Sequence, residues 1–128
     1  MGEMFKGATV FNADISGWDV ANVTTMNNMF RDAVSFNQGL NGWDVSTVES
    51  TAAMFWGAID FNGNISDWEV SKVTNMNSMF AQASKFNQDI SGWNTENSTS
   101  MSQMLRTMPM VQSRLLQYLA TSCCCVQR

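Results

Sequence analysis

A 25-residue repeat is the feature that most constrains how this chain folds. The pair Met-Phe recurs with that spacing at Met4-Phe5, Met29-Phe30, Met54-Phe55 and Met79-Phe80, and Met104-Leu105 continues the series. Phe-Asn recurs at Phe11-Asn12, Phe36-Asn37, Phe61-Asn62 and Phe86-Asn87, and tryptophan at Trp18, Trp43, Trp68 and Trp93. A fixed period of this length is the signature of a solenoid, in which each coil buries its apolar face against its neighbours.

Two spacing patterns lie within one period, for which we take residues 15–39. In residues 15–20 the apolar side chains follow the pattern L-x-x-L-x-L, which predicts a short strand with one buried face. Residues 26–33 place Met and Phe at helical spacing, which predicts a helix of about two to three turns. The sequence therefore predicts an α/β solenoid of about five coils, each with a short parallel strand and a short helix. Its core would include Phe30, Phe55 and Phe80.

The repeat weakens towards the end of the sequence, which predicts three parts. Residues 1–108 form the repeat solenoid. Residues 109–120 begin at Pro109 and continue with an amphipathic pattern, so we expect a helix that caps the stack. Residues 121–128 form a flexible tail with three adjacent cysteines, Cys123, Cys124 and Cys125. Adjacent cysteines rarely pair with each other, so they leave the redox compartment undecided.

Composition argues against several classes of function. The net charge of −4 provides no basic surface for nucleic acid. No apolar run approaches the roughly 18 residues of a membrane span. Histidine is absent, and no nucleophile-base pair or glycine-rich phosphate loop is recognisable. We therefore expect a protein that is not an enzyme and that uses no cofactor or metal.

Two positions recur in every coil, and the first, the Asn after each Phe, is predicted to belong to the scaffold. The side-chain amide of this Asn can form hydrogen bonds with the backbone of the neighbouring coil. These residues are therefore expected to form a ladder of hydrogen bonds along the stack. The tryptophans have two interpretations. They are either part of the core or an aromatic row on the surface that stacks against sugars or peptide side chains.

One residue breaks the repeat. Trp56 stands where the other coils carry Lys6, Arg31, Ala81 or Arg106. A scaffold does not require a large aromatic at that position. Trp56 is therefore predicted to contact a partner, although single surface aromatics are common.

An acidic row is the second candidate binding feature. If Trp18 and its equivalents face inwards, then Asp19, Asp44 and Glu69 face outwards about 4.8 Å apart, with Asp67 beside them. Such a row would favour a basic partner or a cation. The alternative, that these side chains are solvated or bond the neighbouring backbone, stays open.

The N-terminal coil is the third candidate. Met4, Phe5 and Phe11 have no preceding coil to cover them, so we expect this end to dock onto another chain or onto a further part of the same protein. The sequence begins without a charged leader or an apolar signal segment. This favours a fragment, a domain or a short family member.

The repeat from Val73 to Trp93, V-T-x-M-x-x-M-F-x-x-A-x-x-F-N-x-x-I-S-x-W, resembles that of the BspA-like leucine-rich-repeat surface proteins. It resembles more closely the 25-residue Met-Phe/Trp-Asp-Val repeat of bacterial surface lipoproteins and of microbial eukaryotes. The resemblance covers about residues 1–108. It implies a right-handed leucine-rich-repeat-like solenoid that works in adhesion or protein contact at a cell surface, and it carries no catalytic residues.

The leading hypothesis is therefore a non-catalytic protein-interaction or adhesion module with a protein partner. The alternative is a structural subunit packed through its solenoid ends into a larger multiprotein assembly.

Overall fold

The computed structural model describes residues 1–106; the predicted capping helix and tail lie outside the described residues. Residues 1–106 contain no α-helix and no extended strand. Their only β-pairing is a set of isolated parallel bridges, which join Thr25 to Ser50, Ser50 to Asn75 and Asn75 to Ser100. The prediction of an α/β fold with a strand and a helix in each coil is therefore wrong.

The coil is built from β-turns instead. A β-turn is closed when an N–H donates to the carbonyl three residues earlier. In residues 15–39 the donors and acceptors are Trp18 to Ile15, Val23 to Val20, Met29 to Met26, Arg31 to Asn28, Ala33 to Phe30, and Phe36 to Ala33. The same turns recur at the equivalent positions of residues 40–64 and 65–89. A strand was expected around each tryptophan, but Trp18 and its equivalents close a turn there.

In residues 26–33 the apolar side chains recur at the spacing of a helix, but consecutive β-turns rather than a helix produce this spacing. The Met29 N–H donates to Met26 within the coil at 3.2 Å, whereas the Phe30 N–H donates to Met54 of the next coil at 2.8 Å. An α-helix would send both bonds to the carbonyl four residues earlier. Asn28 and Asp32 also have left-handed φ angles of 56° and 59°, which interrupt any helix. Apolar residues three and four positions apart still reach one face.

Backbone hydrogen bonds hold neighbouring coils in a fixed register. The N–H groups of Phe5, Phe30, Phe55 and Phe80 donate to carbonyls of the following coil, at 2.8, 2.8, 2.9 and 3.0 Å. The predicted asparagine ladder is confirmed. The N–H groups of Asn37, Asn62 and Asn87 each donate to the Oδ1 of the Asn one coil earlier, at 2.8 Å in every case.

The core contains two rows of stacked phenylalanine rings. In the first row, Phe5, Phe30, Phe55 and Phe80, successive ring centroids are 5.4, 5.4 and 5.7 Å apart. In the second row, Phe11, Phe36, Phe61 and Phe86, they are 5.7, 5.9 and 5.8 Å apart. Within each coil the two rings are also stacked, at 3.9 Å for Phe55 and Phe61. Phe30, Phe55 and Phe80 are fully buried, as predicted.

The later tryptophans belong to the core as well. Trp43, Trp68 and Trp93 are each 3% exposed, which confirms the core interpretation over the surface row. Each indole N–H donates to a carbonyl of the preceding coil, and the acceptors are Ile15, Leu40 and Ile65 in turn. A buried indole N–H needs such a partner. Each of these tryptophans therefore both packs in the core and fixes the register between its coil and the preceding coil.

Candidate functional site

Trp56 is half-buried, and its ring is covered on one side by the preceding coil. The guanidinium carbon of Arg31 lies 4.4 Å from the ring centroid, which is a cation–π contact. The Nε of Arg31 is buried and makes no hydrogen bond, and the Oδ2 of Asp32 is 3.7 Å from it. The guanidinium of Arg31 therefore covers one face of the indole. Its use as a partner contact stays a prediction.

An exposed aliphatic side chain lies three residues after Trp56. Ile59 is 37% exposed, and its carbonyl accepts the N–H of Lys85. Sequence reasoning missed Ile59, although its row carries Thr9, Val34 and Ser84 in the other coils. We call the contacting pair Arg31 and Trp56 the Trp56 patch.

The acidic row faces outwards as predicted, but each carboxylate also has a structural role. Asp19, Asp44 and Glu69 are exposed. Their side-chain oxygens accept the N–H groups of Ala21, Ser46 and Ser71, two residues onward, at 3.1, 3.0 and 3.0 Å. Short polar side chains commonly fix turns in this way. The alternative interpretation, in which these side chains bond nearby backbone, is therefore confirmed for all three residues. Each carboxylate accepts a backbone N–H of the turn that it begins.

Hydrogen bonds also lower the pKa values of two of these carboxyls. The Ser46 side chain, followed by its backbone N–H, lowers the pKa of Asp44 below 3.8. The Ser71 side chain and then its N–H lower the pKa of Glu69 below 4.5. Both groups are therefore ionised at neutral pH. Asp14, in a similar turn outside the predicted row, has its pKa lowered by the N–H of Ser16 and then by its hydroxyl.

Asp67 is bonded across two coils. Its Oδ2 accepts the Nδ2 of Asn41 at 2.6 Å, and its backbone N–H donates to the Oδ1 of Asn41 at 2.8 Å. This reciprocal pair fixes the register of residues 41 and 67. Asp67 was predicted as a binding residue, and the structure gives it this structural contact.

The N-terminal coil is partly covered. Met4 is 50% exposed. Phe5 and Phe11 are half-buried and stack on each other with centroids 4.0 Å apart. Two of the three predicted docking residues, Phe5 and Phe11, therefore pack together, and Met4 is the most exposed of the three.

Sequence reasoning missed two further exposed residues near this edge. Trp18 is 41% exposed, unlike the other tryptophans of its row, and Val10 is 88% exposed. Residue type carries no signal for this difference, because the same tryptophan recurs at Trp43, Trp68 and Trp93.

A cleft of about 390 Å³ lies elsewhere on the surface. Its lining residues are Glu49, Ser71, Lys72, Thr74 and Asn97. The Nδ2 of Asn97 already donates to the carbonyl of Ser71 at 2.8 Å. The Asn97 amide is therefore already bonded to another residue of the cleft.

Neither a metal centre nor a membrane span is found among the described residues. In residues 1–106, no group of three or more His, Cys, Asp or Glu side chains could hold a metal ion. No helix in the same part of the chain is long and apolar enough to cross a bilayer. The acidic row therefore does not form a cation cluster.

The stacked turns, the asparagine ladder and the paired phenylalanine rows define a repeat protein of 25-residue coils. A family model described as Mycoplasma protein of unknown function, DUF285, matches residues 1–70 and again residues 40–122. The chain belongs to this family. No curated protein matches the sequence, and no solved structure matches it.

Proposed function

We propose that this protein is a non-catalytic protein-interaction module of the adhesion type that binds through the Trp56 patch. The half-exposed indole of Trp56, held at 4.4 Å by Arg31, is the observation that carries the proposal. The scaffold does not need this residue, because Ala81 occupies the same row one coil later. A cell-surface location is proposed from the resemblance to BspA-like repeats.

The physical argument is that the patch is already ordered before binding. Tryptophan and arginine are the residues that most often dominate protein interfaces. Immobilising a flexible side chain costs about 0.5 to 1.5 kcal/mol on binding. Because Arg31 already restrains Trp56, part of that cost does not arise. The partner we propose is a protein with an apolar pocket that receives the exposed side of the indole.

The test compares the Trp56→Ala variant with wild type in a pull-down from solubilised surface proteins, read by quantitative mass spectrometry. Specific partners should be retained by wild type and lost from Trp56→Ala. Lys6→Ala is the matched control, because Lys6 occupies the same row two coils earlier. Thermal unfolding of both variants checks that the fold is kept. Equal recovery of the same proteins on wild type and Trp56→Ala would contradict the proposal.

A second candidate function is a structural subunit that joins a larger assembly through the end of its coil stack. The exposed apolar side chains of Met4 and Trp18, at 50% and 41%, favour it. Side chains of this kind are buried everywhere else in their rows. This candidate places the contact at the N-terminal edge and leaves Trp56 outside it.

A further inference from the structure

The cleft of about 390 Å³ brings together residues from three consecutive coils. These are residues 40–64, residues 65–89 and the coil that begins at residue 90, so a described coil lies on each side of the central one. The volume is in the range of about 300 to 1,000 Å³ that is usual for ligand pockets. We call the lining residues the Lys72 cleft; they are Glu49, Ser71, Lys72, Thr74 and Asn97.

Lys72 departs from the chemistry of its row, in which short polar side chains bond the preceding coil. The row is Asn22, Thr47, Lys72 and Asn97. The Thr47 hydroxyl donates to the carbonyl of Ala21 at 2.7 Å, and the Asn97 amide donates to the carbonyl of Ser71 at 2.8 Å. Lys72 is exposed and makes no such bond within residues 1–106. The scaffold therefore lacks one contact between coils at Lys72, and an exposed ammonium takes its place.

Lys72 also differs from the other basic side chains of residues 1–106, because each of those has a polar partner. The partners lie at 2.7 to 3.7 Å, and the pairs are Lys6 with Glu3, Arg31 with Asp32, Lys85 with Asp60 and Arg106 with Gln103. Within the same residues the Lys72 ammonium has neither an ion pair nor a hydrogen bond. Its charge is therefore available to an anionic group from outside residues 1–106.

Glu49 breaks a second row that contributes to the cleft. The row is Thr24, Glu49, Thr74 and Thr99. The hydroxyls of Thr74 and Thr99 each donate to the carbonyl one coil earlier, at 3.2 and 3.3 Å. The Glu49 carboxylate is exposed and has no bonding partner in the described part of the chain. The cleft therefore contains two opposite charges that do not pair with each other, and the coils on either side do not require them.

We propose that the Lys72 cleft binds a short segment of the partner protein that carries an acidic and a basic side chain close together. The acidic side chain accepts hydrogen bonds from the Lys72 ammonium, and the basic side chain donates to the Glu49 carboxylate. Neither interaction requires an existing ion pair of residues 1–106 to break. The inference rests on the proposed function, because it names a second contact of the same interaction module.

The presence of both charges determines the chemistry of the occupant. An anion alone is attracted by Lys72 but repelled by Glu49, and a cation alone meets the reverse situation. A segment with both charges is attracted by both residues. Exposed ion pairs contribute little affinity each and are screened by salt. The cleft therefore selects the order of the two charges in the partner more strongly than it raises the affinity.

The experiment titrates the full ¹⁵N-labelled chain with two capped pentapeptides, in which one lysine and one aspartate are separated by alanine in either order. Chemical shifts of the backbone amides of residues 71–74 are followed at low ionic strength. We expect one order to bind about threefold or more tightly than the other, and Lys72→Gln or Glu49→Gln to weaken it about threefold. Lys85→Gln is the matched control, because Lys85 is an exposed cation outside the cleft. Thermal unfolding checks that each variant keeps its fold.

A charge exchange tests the pairing directly. The double variant Lys72→Glu with Glu49→Lys keeps the net charge and should prefer the opposite peptide order. Equal binding of both orders by wild type, or an unchanged preference in the double variant, would overturn the proposal. A peptide that keeps only the aspartate and binds as tightly as the parent would also overturn it, because the cleft is then a site for anions alone.

The two proposals fail in different ways. An absence of shifts in residues 71–74, while Trp56→Ala still loses its partners in the pull-down, would overturn the Lys72 cleft alone. Unchanged recovery of partners on Trp56→Ala would contradict the proposed function, whatever the peptides do.

Discussion

The indole N–H of Trp68 donates a 2.8 Å hydrogen bond to the carbonyl oxygen of Leu40 in the preceding coil. Trp68 is 3% exposed, so water does not readily replace this bond. The contact joins a core side chain to the backbone of another coil. It also explains why tryptophan recurs at this position, since no other side chain combines a large apolar surface with a single indole donor.

The variant Trp68→Phe isolates this hydrogen bond. It keeps an aromatic ring but leaves the Leu40 carbonyl without its donor, which costs about 1 to 3 kcal/mol, plus a smaller loss from the missing ring. Urea denaturation followed by circular dichroism measures the change. Trp18→Phe is the matched control, because the Trp18 indole bonds no acceptor within residues 1–106. A loss at Trp68 no larger than at Trp18 would show that the bond does not stabilise the stack.

Phe55 tests the ring stack. Phe55 is fully buried, and its ring lies 5.4 Å from Phe30 and 5.7 Å from Phe80. With neighbours on both sides the site cannot collapse easily, so Phe55→Ala should cost about 3 to 5 kcal/mol. Chemical denaturation measures it. Phe11→Ala is the control and should cost less, because Phe11 is only half-buried. A loss of stability below about 1 kcal/mol for Phe55→Ala would mean that this ring does not support the core.

The sequence predicts the period, the buried rows and the asparagine ladder because each depends on residues that recur in every coil. It does not predict the local backbone. Turns that close every three residues, such as Met26 to Met29 and Phe30 to Ala33, place apolar residues at the same intervals as a helix. Left-handed φ angles at Asn28 and Ala53 decide between the two, and alanine gives no sequence signal for such an angle.

The sequence predicts some candidate site residues and not others, because only some of them differ in residue type from their equivalents in other coils. Trp56 could be found because it departs from its row. Trp18 could not be separated from Trp43 by its residue type, and the difference in their exposure is seen only in the structure. The exposure of Asp44 was predicted, whereas its bond to the Ser46 N–H two residues onward depends on a turn that the expected strand would not contain.

Acid should destabilise the protein through the turn carboxylates. The pKa of Asp44 is lowered by the Ser46 side chain and backbone, so the folded state holds fewer protons than the unfolded chain in acid. Its stabilising contribution is present above the ordinary value of 3.8 and is lost as the pH falls through the lower folded pKa. We therefore expect the thermal midpoint to decrease from about pH 5 to about pH 3.

The variant Ser46→Ala checks this cause, because it removes the hydroxyl donor to Asp44 but keeps the backbone N–H. The decrease of the thermal midpoint between about pH 5 and about pH 3 should be smaller than in wild type. Ser66→Ala is the matched control: Ser66 follows Asn64 in the equivalent kind of turn, and the Asn64 amide does not titrate. Identical pH profiles for wild type and Ser46→Ala would contradict the assignment.

The left-handed φ angles predict that substitutions at Ala53 and Gly57 change the stability of the protein in opposite directions. Ala53 has a φ of 52°, an angle that glycine adopts without steric cost. Ala53→Gly should therefore stabilise the protein by about 0.5 to 1 kcal/mol, the steric relief exceeding the added freedom of the unfolded chain. Gly57 has a φ of 68°, and a Cβ there would meet Asp32 Oδ1 at 2.5 Å. Gly57→Ala should cost about 1 kcal/mol or more, since the angle and the contact both oppose it.

Urea denaturation of these variants, with two further glycines as references, separates the two causes. Gly7 has a φ of 73° with open space around the added Cβ, so Gly7→Ala reports the backbone angle alone. Gly17 has open space and no left-handed angle, so Gly17→Ala should change the free energy of unfolding by less than about 0.5 kcal/mol. We expect the loss to increase from Gly17 to Gly7 to Gly57. Destabilisation by Ala53→Gly, or a Gly57 loss equal to that of Gly17, would show that left-handed turns do not limit the stability of the coils.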